Sequence, residues 1–136
     1  MGFDFTSDSG REFQLRSGAW SFFLYLAEGY GWVKRGTVPP PGLDGEEWQG
    51  DYASNDGQYV TAEDASALAD AYDRALGDPR RQGRAAEIGR QLDRDVQELA
   101  RRDGIELPPD DEEWSIDEGA LREFVGFLRA GGFRID

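Results

Sequence analysis

An apolar run near the start of the sequence constrains the fold more than any other feature. It contains Trp20, Phe22, Phe23, Leu24, Tyr25 and Leu26. Ser17 can cap a helix that begins near Ala19, and Gly29 and Gly31 end that helix. A helix that is apolar almost all round is buried on more than one side. The rest of the chain must therefore cover it, and any side left uncovered would favour a homodimer.

Alternating residues predict that a β-hairpin opens the fold. Residues 3–6 and 13–15 alternate apolar with polar side chains, and the turn sequence Ser-Asp-Ser-Gly occupies residues 7–10. At the other end of the chain, residues 133–135 can return to the same sheet as a short final strand.

The middle of the chain predicts a long loop and a second hairpin. Residues 36–50 are too broken by Pro and Gly for regular structure, and loops of this length are functional or mobile. Residues 51–53 and 58–60 then flank Ser-Asn-Asp-Gly, a strong turn sequence. This segment is similar to a calcium-binding EF-hand loop, but Tyr52 stands where such a loop requires a carboxylate. A hairpin turn followed by a helix cap is the favoured interpretation.

Three further helices follow from capping signals and helical spacing. The first covers residues 62–76, where Thr61 and Asp64 approximate a capping box. The second ends near Arg102 and has a narrow apolar stripe, which places it on the outside of the fold. The third begins after the capping box of residues 115–118.

Together these elements predict an α+β fold, in which a small antiparallel sheet of two hairpins, extended by the C-terminal strand, is packed by about four helices. A chain of 136 residues has the commonest size of a single domain. We therefore expect residues 1–136 to form one domain.

The absence of cysteine and histidine excludes several classes of function. Without cysteine there are no disulfides, no thiolate catalysis and no cysteine metal sites. Without histidine there is no Ser-His-Asp triad and no histidine-based zinc chemistry. The sequence contains no catalytic motif, so we expect no cofactor, and enzymatic activity stays open but disfavoured.

The charge of the chain indicates which partners it can bind. A formal net charge of −13 repels nucleic-acid phosphates and anionic lipid surfaces and favours a basic partner. The N-terminus lacks the basic and apolar regions of a signal peptide, and no stretch approaches the roughly 20 apolar residues that span a bilayer. We expect a cytoplasmic protein that binds neither nucleic acid nor membrane.

Two charged segments have competing interpretations. Seven arginines lie in or just before the helix that ends near Arg102, but Glu87, Asp93, Asp95 and Glu98 interrupt them. An ion-paired solvent face is therefore favoured over a nucleic-acid site. The acidic run of residues 110–113 could hold a hard cation, but a solvated linker is the more common role of such a run.

The candidate site lies around the long loop. Trp32 and Trp48 bracket this Pro- and Gly-rich segment, and aromatic residues beside carboxylates are typical of interfaces and of small-molecule pockets. The predicted partner-binding residues are Trp32, Trp48, Glu46, Glu47, Asp51 and Tyr52. The alternative is that the aromatic residues belong to the core, as most large aromatic residues do.

Several short runs between residues 20 and 76 resemble uncharacterised bacterial proteins. These runs are Tyr30-Gly31-Trp32, Gly36-Thr37, Trp48-Gln49-Gly50-Asp51-Tyr52, Ser54-Asn55-Asp56-Gly57-Gln58, Asp64-Ala65 and Leu68-Ala69. The resemblance implies a bacterial origin, and it brings no activity with it.

The leading hypothesis from the sequence is a non-enzymatic interaction module. Its acidic surface and long loop would bind a basic protein, in the manner of an immunity, antitoxin or adaptor protein. One alternative is a small-ligand binding domain with aromatic walls. A second is a carboxylate-based enzyme, assisted by a metal ion.

Overall fold

The structure is a computed structural model of the chain and describes residues 2–108 and 113–136. Its elements are β1 (Gly2–Ser7), β2 (Glu12–Arg16), α1 (Ser17–Gly29), β3 (Gln58–Val60), α2 (Ala62–Leu76), α3 (Arg81–Arg102), α4 (Glu118–Arg129) and β4 (Phe133–Ile135). Within the described residues, a four-stranded antiparallel sheet and four helices confirm the predicted α+β fold.

The four strands lie in the order β2-β1-β4-β3, and every neighbouring pair is antiparallel. β1 and β2 form the predicted first hairpin, in which Phe3 lies opposite Leu15 and Phe5 opposite Phe13. The predicted C-terminal strand is confirmed as β4, which lies between β1 and β3. The sheet is therefore complete only when the two ends of the chain meet.

The predicted second hairpin is wrong. Residues 51–53 form no strand, and β3 pairs with β4 instead. The physical reason is Gln58, whose side chain is fully buried and donates from Nε2 to the backbone oxygens of Asp51 (3.1 Å) and Ser54 (2.5 Å). Residues 51–54 wrap around this buried amide and cannot extend beside β3.

The structure corrects the predicted cap of α1 and confirms that this helix is covered. β2 runs directly into α1, so the extended residue at the junction, Arg16, becomes the N-cap, and Ser17 is the first helical residue. The buried side chains of α1 are Trp20, Phe22, Phe23, Leu24, Leu26 and Ala27. Because α2, α3 and the hairpin pack against α1, the apolar run is covered within one chain.

The predicted start is correct for α2 and two residues early for α4. The hydroxyl of Thr61 accepts a hydrogen bond from the backbone N–H of Asp64 (3.2 Å) at the start of α2. At α4 the N-cap is Asp117, not Ser115, and Asp117 accepts from the N–H of Ala120 (3.1 Å). Before the helix, Ile116 is buried and donates its N–H to the Gln82 side chain (2.8 Å), and Asp117 is still extended.

The long helix α3 is covered along only part of its apolar stripe. Ile88 is half-buried and Leu92 is buried, whereas Val96 is 44% exposed and Leu99 is 59% exposed. Most of the acidic run predicted as a linker, residues 110–112, lies outside the described residues. No helix in the described part of the chain is long and apolar enough to cross a lipid bilayer.

The core centres on Phe124 of α4. Its ring centroid lies 5.0–5.8 Å from those of Phe5, Phe13, Phe23 and Tyr72, so it joins the sheet to α1 and α2. Phe3, Phe5, Phe133 and Ile135 are buried on one face of the sheet, and the alternate residues face outward. The segment between α1 and β3 adds Tyr30, Trp32 and Tyr52 to this core and carries the candidate site.

Candidate functional site

The segment of residues 36–51, named here the acidic loop, is closed at its base by Thr37. The N–H of Thr37 donates to the backbone oxygen of Gly50 (3.3 Å), and its hydroxyl donates to the backbone oxygen of Asp51 (2.7 Å). Trp48 Nε1 donates to the same hydroxyl (2.9 Å). A surface loop whose two ends meet and are bonded to each other holds a defined shape.

Glycine is required where the two ends of the acidic loop touch. Gly36 and Gly50 both have a positive φ, of 93° and 73°. A Cβ on Gly50 would lie 2.9 Å from the Cα of Gly36, which is closer than non-bonded carbon atoms approach. Only residues without a side chain allow the close approach that brings Thr37 to Gly50.

A buried carboxylate anchors the acidic loop to α2. Asp64 is 1% exposed and accepts hydrogen bonds from Trp32 Nε1 (2.9 Å) and from the hydroxyl of Tyr52 (2.5 Å). The Tyr52 hydroxyl in turn accepts from the N–H of Gly36 (3.0 Å). In the described part of the chain, no Lys or Arg pairs with Asp64. Neutral N–H and O–H donors therefore satisfy this carboxylate.

This arrangement keeps Tyr52 protonated over a wide range of pH. Burial raises the pKa of Tyr52 well above 10, and its hydrogen bond to Asp64 raises the pKa further, because an ionised phenol would face a carboxylate. The backbone oxygen of Tyr52 also accepts from Trp20 Nε1 of α1 (2.7 Å). Tyr52 thus links the acidic loop to both α1 and α2.

Beyond this base, the acidic loop exposes its carboxylates. Asp44, Glu46, Glu47 and Asp51 are exposed, and Trp48 is half-buried between them and Thr37. None of the four carboxylates forms an ion pair with a described residue. Two of them accept only local backbone N–H groups: Asp44 from Glu46 (3.2 Å) and Asp51 from Ala53 (2.8 Å). Their charges are available to another molecule.

The structure divides the six predicted site residues into two groups. Trp32 and Tyr52 are 4% and 3% exposed and belong to the core, so their rings are not presented to a partner. Glu46, Glu47, Asp51 and Trp48 remain at the surface on the acidic loop. The aromatic pair holds the loop in place, and the acidic group is what the loop presents.

Sequence reasoning missed Asp64 and Thr37, the two polar residues on which the acidic loop depends. A signal for Asp64 was present, because Asp64, Leu68, Ala71 and Ala75 recur at helical spacing and all four are buried. Asp64 therefore lies on the apolar stripe of α2. Thr37 has no comparable signal, since its role comes from contact with residues more than ten positions away.

The ion-paired interpretation of α3 holds in part: of the four acidic residues Glu87, Asp93, Asp95 and Glu98, only Glu98 pairs with an arginine of the helix among the described residues. Arg81 pairs with Glu118 (3.0 Å) and Arg102 with Glu98 (2.9 Å). Asp93 accepts from Trp114 Nε1 (3.0 Å). Asp95 accepts from Tyr25 (2.6 Å), and this hydrogen bond lowers the pKa of Asp95. Several charged side chains of α3 thus bond to neighbours within the fold, whereas Glu87 and Arg101 form no ion pair with a described residue.

Among the described residues, cavities of about 310, 760 and 770 Å³ lie away from the predicted aromatic residues. The 770 Å³ cavity lies at the start of α3, between Asp78, Arg84 and Glu87. Trp32 and Tyr52 pack edge to face against each other, with centroids 5.1 Å apart, so they leave no space between them for a ligand. Among the described residues, no three Asp or Glu side chains converge to hold a metal ion.

Comparison of the chain with protein-family models, with curated proteins and with solved structures found no match. The interpretation of the site therefore depends on its geometry and charge.

Proposed function

We propose that the protein is a non-enzymatic interaction module whose acidic loop binds a basic surface on a protein partner. The observation that carries this proposal is the set of four exposed, unpaired carboxylates on a loop that has no Lys or Arg of its own. Such a set attracts cations without first breaking an internal ion pair.

Support also comes from the way the acidic loop is held. The hydrogen bonds of Thr37, Tyr52 and Asp64 fix its base before any partner arrives. A loop that is already ordered loses less conformational entropy on binding than a flexible one, which raises affinity. Trp48, half-buried beside the carboxylates, adds an apolar contact of the kind found at the centre of interfaces.

The interaction should be steered by charge and should weaken with salt. The Debye length falls from above 10 Å at about 50 mM salt to well below 10 Å at about 500 mM. The net charge of −13 adds a long-range attraction for a basic partner. Binding that is equally tight at both salt concentrations would contradict the proposal.

The decisive experiment compares two variants that lose the same number of charges. The first, Asp44→Asn/Glu46→Gln/Glu47→Gln, removes three of the four carboxylates of the acidic loop. The control, Glu87→Gln/Glu106→Gln/Glu123→Gln, neutralises three exposed carboxylates elsewhere that form no ion pair with a described residue. Tagged wild type and both variants are used to capture proteins from a lysate of the source organism, with quantification by mass spectrometry.

A basic protein that is retained by wild type and by the control but lost by the loop variant would support the proposal. Equal loss in both variants would mean that net charge alone attracts the protein, and the acidic loop would then not be the binding site. If wild type retains no protein at near-unit stoichiometry, the interaction function is contradicted.

A further inference from the structure

The outer edge of β2 is an unused hydrogen-bonding surface. β2 is the first strand in the order β2-β1-β4-β3, and in residues 2–108 and 113–136 no strand pairs with its outer side. Its residues Glu12, Gln14 and Arg16 are exposed. An open edge of this kind accepts a further strand unless something blocks it.

The pairing within the sheet determines which backbone groups point outward. Asp4 of β1 exchanges both backbone hydrogen bonds with Asp136, at 2.9 and 2.8 Å, so Asp4 faces the β4 side. Along an antiparallel strand, the backbone N–H and C=O groups of successive residues point to alternate sides. Phe3 and Phe5 therefore bond to β2, where they lie opposite Leu15 and Phe13. The N–H groups of Glu12, Gln14 and Arg16 therefore point away from the sheet, together with the C=O groups of Glu12 and Gln14.

The side chains along this edge are self-complementary. In an antiparallel pairing of two copies about Gln14, Glu12 of one copy lies directly opposite Arg16 of the second, and this contact occurs twice. On the other face, Phe13 lies opposite Leu15 of the second copy, and both residues are only partly buried in one chain. Opposite charges and apolar residues facing each other across two strands stabilise the pairing.

Other pairings do not give this match. A shift of two residues places Glu12 opposite Gln14, and an in-register parallel pairing places Glu12 opposite Glu12 and Arg16 opposite Arg16. Within the described residues neither Glu12 nor Arg16 forms an ion pair. The charges of the edge are thus free, and they specify one register.

We propose that two copies of the chain associate through β2, antiparallel and centred on Gln14, so that the two sheets join into one of eight strands. The occupant of the edge is a second copy of this chain, since a twofold axis through Gln14 satisfies both charge pairs at once. This interface is separate from the acidic loop and does not depend on the proposed function.

The first test is a charge swap at the edge, followed by sedimentation equilibrium from about 10 to about 500 µM protein. The buffer holds about 150 mM salt, which screens the repulsion between two acidic chains. Glu12→Arg alone and Arg16→Glu alone each place like charges opposite one another, so dimerisation should weaken about tenfold or more. An equal mixture of these two variants should restore it, because every pair in the mixed dimer is then opposite in charge.

The second test removes one outward N–H without touching the hairpin. Gln14→Pro deletes a donor that faces solvent, and an edge strand accepts Pro at such a position. The variant should keep the thermal transition that the wild-type monomer shows at low concentration and lose the dimer. Glu123→Arg, which changes an exposed charge on α4, is the matched control and should leave the dimer unchanged.

Two results would overturn the proposal. One is a wild-type chain that stays monomeric up to about 500 µM, because the dissociation constant would then be too high for a functional dimer. The other is a dimer that forms as tightly in each single variant as in wild type, and no more tightly when the two variants are mixed. If Leu99→Asp then abolished that dimer, the exposed end of α3 would be the interface instead.

Discussion

The acidic loop and α3 are both long and highly charged, yet the protein uses their charges in opposite ways. On α3, Arg81 and Arg102 pair with carboxylates and Asp93 bonds to Trp114. On the acidic loop, the exposed carboxylates of Glu46 and Glu47 pair with no described cation. The loop is held at its buried base, whereas α3 is held both by its buried residues and by bonds from its surface charges to neighbouring residues.

This difference separates charges that hold the fold from charges that are available to a partner. Exposed ion pairs like those on α3 contribute little stability each, and several of them together orient a helix. A carboxylate without a partner forms no ion pair within the fold, so a cation can bind it without first breaking one. The buried neutral donors that bond to Asp64 keep the loop ordered, so its surface carboxylates are not needed for this purpose.

The largest expected effect comes from Asp64→Ala, which breaks the base of the acidic loop. The substitution leaves the buried donors of Trp32 and Tyr52 without an acceptor, so the free energy of unfolding should fall by about 3 kcal/mol. Urea denaturation measures the loss, and hydrogen exchange should show faster exchange in residues 36–51.

Asp70→Ala is the control for this prediction, on the same helix. Asp70 is half exposed and pairs with Arg129 (2.7 Å), so its loss should cost less than about 1 kcal/mol. Equal losses in the two variants would mean that Asp64 is not the anchor of the loop.

A smaller effect, of about 1–3 kcal/mol, is expected at the packing contact that holds α3. A Cβ at Gly89 would overlap the side chain of Trp114, which stacks on Phe22 with centroids 4.8 Å apart. Gly89→Ala should therefore destabilise the protein, as measured by chemical denaturation.

Gly83→Ala, on the same helix but with open space beside it, provides the matched comparison. A Cβ at Gly83 meets no described atom within 4 Å, so the higher helix propensity of Ala should stabilise α3 by up to about 1 kcal/mol. If both glycine variants shift stability in the same direction, the contact with Trp114 is not what positions α3.

A third prediction concerns alkaline pH and two tyrosines, Tyr25 of α1 and Tyr30 at its C-cap, which bond to carboxylates in α3 and just before it. Burial, followed by a hydrogen bond to Asp95, raises the pKa of Tyr25 to about 12. Burial, followed by a hydrogen bond to Asp78, raises the pKa of Tyr30 to about 12. In the unfolded chain both phenols ionise near pH 10. The unfolded state then holds fewer protons, so stability is intact below pH 10 and falls as the pH rises towards 12.

Urea midpoints measured between about pH 8 and about pH 11.5 test this prediction. Tyr25→Phe/Tyr30→Phe should flatten the decline above pH 10, and Tyr52 should account for part of the slope that remains. A slope identical to that of wild type would show that these two phenols do not stay protonated in the folded state.

The smallest expected effect is at the tip of the acidic loop. Glu46→Gln/Glu47→Gln removes two exposed charges that have no described partner, so stability should change by less than about 0.5 kcal/mol. Thermal unfolding at low and at high salt measures this change in stability. A loss of several kcal/mol would mean that these carboxylates support the fold, and the contrast with α3 would disappear.

The sequence predicted the elements better than it predicted their pairing. The α+β class, the first hairpin, α2 and the final strand are correct because each depends on residues close together in the chain. The second hairpin failed because Gln58, a polar residue at the start of the predicted strand 58–60, is buried, and residues 51–54 wrap around its amide. No local pattern distinguishes that outcome from a hairpin.

For the candidate site, the sequence pointed to a segment whose carboxylates the structure leaves exposed, but it combined two kinds of residue. Trp32 and Tyr52 were grouped with Glu46 and Glu47 because they are near in sequence. Their burial depends on Asp64, which lies 32 residues from Trp32 and 12 from Tyr52. Composition predicts that large aromatic residues are often buried, but it does not say which polar group they bond to.

The sequence by itself determined the local structure of this protein. It placed the apolar helix α1, the cap at Thr61 and the Gly- and Pro-rich loop that carries no cation, because caps, periodicity and charge act over a few residues. Only the tertiary structure decided that β4 lies between β1 and β3, that Asp64 is the buried acceptor for the loop, and that the loop carboxylates stay unpaired. Those outcomes depend on contacts between residues far apart in the chain, which form only when the fold is complete.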